Sequence, residues 1–354
     1  MKHALLIGLL GLLLPQPAAQ AEDTGDSGRA QWALDCEAAA RYSRSTRGIA
    51  VLVVLHGTIV CEDYAAGIDP GQSWELASGA KSFTSVIAAA AVQDGLISLD
   101  ERVADTITEW QDDPRRSQIT VRHLLAQTSG LASGNDDVRI PGYRAAIRTR
   151  ARHEPGAAFI YSARHFQAFG EFMRRKLEAA GLDATPAHYL TRRVLAPAGI
   201  ELGSWGAIDG MPVMSEAVEI SPRNWARFGA LVLGEGVSGG VSLVDRDALA
   251  ASFEPGRVNP VYGLSWWLPD HERASLLQRR PTGSQLDTIE AGEGLPALRV
   301  AAGAGRQRLY LIPELDVLVV RMTRGVTADP ATREARWSDT EFLTRLLTPL
   351  PASE

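Results

Sequence analysis

The chain has 354 residues, of which 45% are hydrophobic and 22% charged, and its formal net charge is -6. These proportions exclude a disordered or collagen-like chain, and a mildly acidic balance offers nothing to nucleic acid or an anionic membrane. The length suits one large domain or two intimate ones.

Lys2 and His3 open a short basic start, Ala4 to Leu14 is an apolar run that Pro15 breaks, and Ala19-Gln20-Ala21 is a small-x-small pattern. This predicts a secretory signal peptide over 1–21, too short to span a bilayer. The mature protein is then periplasmic or secreted, with no membrane anchor after cleavage. Residues 22–30 read as a polar linker and 31–43 as a short helix. Gly48 to Leu55 and Thr58 to Tyr64 read as strands joined at His56-Gly57. Ser78 to Asp94 shows helical spacing and stops at Gly95.

From 100 to 254 the apolar spacing is mainly helical, with segments at 120–126, 163–179, 187–195 and 222–233. Strand character returns at Tyr262 to Leu268, Leu298 to Ala302, Arg308 to Ile312 and Val317 to Met322, and 339–347 closes as a helix. The order predicts an α+β fold: an α/β sandwich with an antiparallel sheet from 22–100 and 255–354, and an inserted all-α domain over 101–254.

Only two cysteines occur, Cys36 and Cys61. In an oxidising compartment they can pair, which contributes roughly 3 kcal/mol; otherwise they are two buried thiols.

The sharpest chemical signal is Ser78-Gly79-Ala80-Lys81 at a helix start. Three residues are nearly one turn, so both side chains share a face. A serine hydroxyl needs a base to become a nucleophile, and a lysine of lowered pKa can serve. The chain has only three lysines, Lys2, Lys81 and Lys176. Arginine supplies the other cations and cannot act as base. The competing reading is a lysine on a solvated helix face.

Tyr161, before a predicted helix, could relay a proton, its phenol being easier to ionise beside a charged lysine. The competing reading, which the motif alone favours, is a Tyr packed at a helix start with its hydroxyl in water. Gly303-Ala304-Gly305 at a strand end allows close backbone approach, and the N–H groups of Ala304 and Ser78 could hold an oxyanion. A plain turn is the alternative.

Gly236 to Gly240 matches the Gly-x-Ser-x-Gly elbow around Ser238, with Asp247 and His271 as conceivable partners. The strand before and helix after that an elbow needs are missing. The seven histidines show no metal-ligand spacing, and His123 reads as a capping or packing residue.

In order along the chain, these motifs resemble the class C β-lactamase-like serine hydrolases. That group includes penicillin-binding proteins, esterases and 6-aminohexanoate-dimer hydrolases. The likeness runs through Leu76-Ala77-Ser78-Gly79-Ala80-Lys81, His123 to Leu131, Tyr161-Ser162-Ala163, Arg227-Phe228-Gly229, Tyr262 to Trp267 and Gly303 to Gln307, over roughly 45–350. It implies a β-lactamase/penicillin-binding-protein-like fold. Ser78 is then acylated, Lys81 and Tyr161 shuttle protons, Ser78 and Ala304 hold the oxyanion, and no cofactor or metal takes part.

Three positions depart from the pattern. Ala163 stands where Asn or Ser is usual, Gln127 where His is common, and Ala301-Ala302 where a cation often precedes Thr-Gly. The missing cation weakens β-lactamase and D-amino-acid-peptidase readings, because it would grip a substrate carboxylate; Arg306 or Arg308 could substitute. The expectation is a hydrolase of a small-molecule ester or small amide, with Gly303, Gly305, Tyr262, Trp266 and Trp267 lining its pocket. The contrasting class is a binding protein that keeps the fold without turnover.

Overall fold

The run Gly-Ile-Ala-Val-Leu-Val-Val-Leu at 48–55 does not alternate with polar residues, so a strand built from it must be covered on both faces. The computed structural model describes residues 32–132, 140–270, 272, 292, 294–325 and 337–350, and shows this double cover. The signal peptide expected over 1–21, the 22–30 linker and His271 lie outside the described residues.

The first elements are β1 (Trp32–Leu34), α1 (Cys36–Ser45), β2 (Gly48–Leu55), β3 (Thr58–Tyr64) and β4 (Trp74–Glu75), then α2 (Ser82–Gln93). Next come α3 (Val121–Leu125), α4 (Tyr143–Ile147), α5 (Ala163–Ala179) and α6 (Pro186–Leu190). The short strands β5 (Leu202–Trp205), β6 (Ala207–Ile208), β7 (Met211–Pro212) and β8 (Val218–Ile220) lead into α7 (Pro222–Leu233). Then follow β9 (Val237–Ser238), β10 (Val241–Ser242) and α8 (Arg246–Ala250). The chain closes with β11 (Arg299–Gly303), β12 (Gln307–Ile312), β13 (Val317–Thr323), α9 (Asp339–Leu346) and β14 (Leu347–Pro349).

Both chain ends build one five-stranded antiparallel sheet in the order β11-β12-β13-β2-β3. The period of two sorts its side chains. Leu52, Val54, Leu309, Leu311, Leu318 and Val320 face the core under α2 and α7. Val51, Val53, Tyr310 and Val319 face a second core with Ala39 of α1 and Phe342, Leu343 and Leu346 of α9. The sandwich is therefore helix, sheet, helix. Each fully buried aliphatic or Phe side chain in it contributes about 1.5–3 kcal/mol.

The stretch 101–254 is mainly helical but also holds β5 to β10. Its hairpins have local causes. Asp209-Gly210 joins β6 to β7 with φ of 53° and 76°, and Gly239-Gly240 joins β9 to β10 with 55° and 79°. Those are the two positive-φ residues of a tight hairpin turn. The 31–43 segment also differs from a plain helix. Trp32–Leu34 pairs with β14, and the helix starts only where Asp35 accepts from the Ala38 N–H at 2.9 Å. In 187–195, the α-helical turn passes into a π-helical one at Thr191–Leu195.

Cys36 and Cys61 are bonded, with their Cα atoms 5.8 Å apart. The bond staples the start of α1 to β3. The double variant Cys36→Ala/Cys61→Ala should lose about 3 kcal/mol of stability in denaturant unfolding. Thiol titration of the denatured, unreduced wild type should find no free thiol; two free thiols would remove the bond.

Candidate active site

Ser78 lies one turn before α2, in a 3-10 turn over Ala77–Lys81. With three residues per turn, positions i and i+3 eclipse, so this turn stacks Lys81 on Ser78 more tightly than an α-helix would. Lys81 Nζ sits 2.8 Å from Ser78 Oγ. Ala77 carries φ of +47°, strain of about 1–3 kcal/mol for a non-glycine residue. Two hydrogen bonds hold the bend: Leu76 N–H to Val218 O at 2.9 Å and Gly79 N–H to Leu76 O at 3.0 Å.

Lys81 is only 4% exposed. Its Nζ donates to Ser215 O at 3.0 Å and lies 4.9 Å from the Tyr161 ring and 5.6 Å from that of Phe166. Burial lowers its pKa to about 8, against the opposing pull of the Glu216 carboxylate. A neutral amine has two N–H bonds and one lone pair. Ser215 O takes one of the hydrogens, and the lone pair is left for the Ser78 proton.

Tyr161 is hydrogen-bonded to Ser78. Burial pushes its phenol well above the ordinary tyrosine value, and the Ser78 hydrogen bond only partly offsets this. The expectation of an easily ionised Tyr161 is thus corrected: desolvation of the phenolate outweighs a nearby cation. A protonated phenol suits a donor to the leaving group better than a resting base.

Two residues to which sequence reasoning gave no role at Tyr161 clamp it. Gln127, fully buried at φ +57°, accepts from Ser162 N–H at 2.8 Å through Oε1. Its own carbonyl accepts from Ile160 N–H at 3.0 Å. His165 Nε2 donates to Ile160 O at 2.8 Å, so its Nδ1 accepts from Ser129 Oγ, also at 2.8 Å. Gln127 lies in a quoted motif segment and His165 two residues beyond one, and nothing local shows that they meet at 160–162. His123, read as a capping residue, does close the capping box of α3 with Thr120.

The end of β11 runs against the Ser78 turn. A Cβ on Gly303 would lie 1.9 Å from Leu76 O and 3.1 Å from Gly79 N, so only glycine lets the two backbones approach this closely. Among the described residues, neither Ser78 N–H nor Ala304 N–H donates to a protein acceptor. Gly305 follows at φ 73°.

The expected strand at Tyr262 to Leu268 is instead a tight reversal. Gly263 N–H bonds Trp266 O, Leu268 N–H bonds Val261 O, and Ser265 turns the chain at φ +72°. Only Trp267 reaches the sheet, bridging Val300. The reversal splits the proposed pocket residues. Tyr262 and Trp267 face the site: Trp267 stacks on Tyr161 at 5.6 Å, and Phe159 meets Tyr262 edge-on at 5.2 Å. Trp266 points the other way, fully buried, donating to Ser85 Oγ and stacked on Phe228. It is a core residue, not a pocket wall, because neighbours in an extended or reversed chain face opposite sides.

Of the two arginines that could substitute for the missing cation at 301–302, Arg306 lies half-buried directly after Gly305, and Arg308 is committed elsewhere. Ala301 and Ala302 are buried in the sheet. Arg308, 2% exposed, turns inward, its Nε donating to Asp339 Oδ1 at 2.7 Å. Ser238 sits in the β9–β10 hairpin, with no elbow around it.

Residues 30–343 match the family model for β-lactamase, and the chain belongs to that family, whose members are serine hydrolases. It is similar to monacolin J acid methylbutanoyltransferase of Aspergillus terreus: 33% identity over 154 residues, 35% of this chain and 36% of that one. The chain spans about a third of the length of the curated relatives it matches. Among solved structures, a class C β-lactamase from Rhodobacter sphaeroides shares 18% identity with a TM-score of 0.62, covering 87% of this chain and 98% of that one. EstCE1, described as a hydrolase with promiscuous acyltransferase activity, shares 14% identity with a TM-score of 0.61, covering 87% and 97%. These likenesses fix the fold as β-lactamase/penicillin-binding-protein-like.

Proposed function

We propose that this member of the β-lactamase family hydrolyses a small-molecule ester or small amide through an acyl-enzyme on Ser78. The observation that carries the reading is a buried Lys81 amine, pKa about 8, 2.8 Å from Ser78 Oγ. In the first half-reaction Ser78 Oγ bonds the acyl carbon and its proton passes to Lys81. The N–H groups of Ser78 and Ala304 stabilise the oxyanion, and Tyr161 protonates the departing alkoxide or amine. Water then attacks the acyl-enzyme by the same route in reverse.

An ester or an uncharged amide fits better than a β-lactam or a peptide C-terminus. Those carry a carboxylate, and Ala301 and Ala302 stand where a cation would grip it, while Arg308 is paired with Asp339. Phe159, Tyr161, Tyr262 and Trp267 give an aromatic wall for an apolar acyl group. The similar methylbutanoyltransferase makes an alcohol a conceivable acceptor in place of water. Export through a cleaved signal peptide is part of the proposal, supported by the Cys36–Cys61 bond, since such bonds persist in oxidising compartments.

The test is intact mass after a fluorophosphonate probe. Wild type should gain one adduct and Ser78→Ala none. A Ser78→Ala protein that still labels would place the nucleophile elsewhere, with Ser238 next to examine. Wild type that never labels, yet binds ligands, would favour the binding-protein reading.

A further inference from the structure

We infer that Arg308, locked by Asp339 and Tyr310, is a positioning residue that aims the Ala304 N–H at the oxyanion; this rests on the acyl-enzyme reading above. The Gly303 carbonyl and the Ala304 N–H belong to one peptide unit. No described peptide bond is cis, so the two groups point in opposite directions from one plane. Fixing the carbonyl therefore fixes the N–H.

Arg308 fixes it. One terminal guanidinium nitrogen donates to Gly303 O at 3.1 Å and to Gln307 O at 3.0 Å. The rest of the guanidinium is held by Asp339, with Nε to Oδ1 at 2.7 Å and the other terminal nitrogen to Oδ2 at 3.3 Å. Tyr310 OH donates to the same carboxylate. Arg308 and Asp339 are each 2% exposed and Tyr310 is fully buried. Burial alone would draw the Arg308 pKa down, but Asp339 and Tyr310 together outweigh it. The guanidinium stays charged.

Position matters as much as charge. The pair Gly303–Gln307 is the last of the β11–β12 ladder, so the sheet places no further register pair beyond it to steer the next peptide. Gly303 has no side chain to wedge the plane. A cation on the carbonyl also polarises the amide and makes its N–H a stronger donor. A buried ion pair is weak as a stabiliser, because desolvation consumes most of its attraction. Its placement behind the oxyanion donor gives this pair a use that stability does not.

The test uses Arg308→Gln/Asp339→Asn, which leaves no orphaned charge, and Arg308→Lys, which keeps a cation without the fork. Each protein is treated with a fluorophosphonate: a Ser78 Oγ–P bond forms, fluoride leaves, and the serine proton passes through Lys81 to solvent. The phosphoryl oxygen of the adduct takes the oxyanion's place, and its 31P shift reports the donors. Turnover of p-nitrophenyl butyrate is measured alongside.

In the double variant, kcat should fall about 10- to 100-fold with KM within about twofold, since an oxyanion donor is misaimed rather than deleted. The 31P shift should move towards that of the unfolded adduct. Arg308→Lys should recover part of both. A folded double variant with wild-type kcat and 31P shift overturns the inference and leaves the trio purely structural. Should the double variant fail to fold, Arg308→Lys is decisive: wild-type values for both readouts overturn the inference, and a partial loss of both supports it. Wild type that does not label at Ser78 sinks the acyl-enzyme reading and this one with it. Normal wild-type labelling with unaffected variants sinks only this one.

Discussion

Lys81→Met should leave a folded protein whose ester hydrolysis is about 10³- to 10⁴-fold slower, the loss expected when a general base is removed. The same side chain sets the pH profile. Only the neutral amine can take the Ser78 proton, and burial has brought its pKa to about 8. Wild-type kcat/KM should therefore rise about tenfold per pH unit below pH 8 and level off above it. A rise that continues towards pH 10 would indicate an unperturbed amine, or the Tyr161 phenolate as base. Stability should run in the opposite sense to activity in the variant. Lysine in the unfolded chain titrates near 10.4, so between about pH 8 and that value the unfolded state binds the extra proton. Wild-type stability then rises with pH across that window. Below pH 8 the folded state carries a buried charge at a cost of about 3 kcal/mol. Lys81→Met removes that cost, so at pH 7 it should unfold at higher urea than wild type and show less pH dependence above pH 8. Loss of both activity and stability would mean that Lys81 is a structural cation.

Local chemistry in this chain was legible where the cause is local. The Ser78–Lys81 spacing needs only one turn of helix, and the structure supplies a tighter one. The hairpin at His56-Gly57 and the apolar run of β2 follow from two residues and eight, respectively. What stayed hidden depends on contacts distant in sequence. Nothing near Arg308 says that it faces Asp339, 31 residues away, rather than solvent. Trp266 and Trp267 are equal neighbours in sequence, and only the turn at Ser265 sends one to the core and one to Tyr161. Gln127 and His165 look like an atypical motif position and a stray histidine until Ile160 and Ser162 are seen between them. The phenol of Tyr161 is the sharpest case: the charged lysine expected beside it suggests a lowered pKa, and its burial decides for a raised one. One signal was local and still missed. Asp209-Gly210 is a strong tight-hairpin dipeptide, hidden inside a stretch read by its helical spacing.

Gly303→Ala should cut kcat about 10²- to 10³-fold, as much as deleting an oxyanion donor outright. The added methyl would lie 1.9 Å from Leu76 O and 3.0 Å from Leu76 C. Both are backbone atoms, so no rotamer change relieves the clash, and either β11 or the Ser78 turn must move. Leu76 is part of that turn: its carbonyl accepts from Gly79 N–H and its own N–H is tied to Val218 O. Movement there shifts the Ser78 N–H, and movement of β11 shifts Ala304 N–H, so the two donors separate whichever side yields. Overpacking of this kind also costs about 1–3 kcal/mol of stability, which by itself would leave a folded enzyme with normal turnover. A second glycine separates the two effects. Gly240 sits at the β9–β10 turn with φ +79°, and a Cβ added there would meet nothing within 4 Å, so Gly240→Ala incurs a backbone strain of about 1–2 kcal/mol without touching the site. It should lose comparable stability and keep wild-type kcat and probe-labelling rate. Equal activity losses in the two variants at matched stability would mean that the rate follows global stability. A loss confined to Gly303→Ala would tie it to the separation of the Ser78 and Ala304 N–H groups, since the close approach of β11 to Leu76 is what that methyl disturbs.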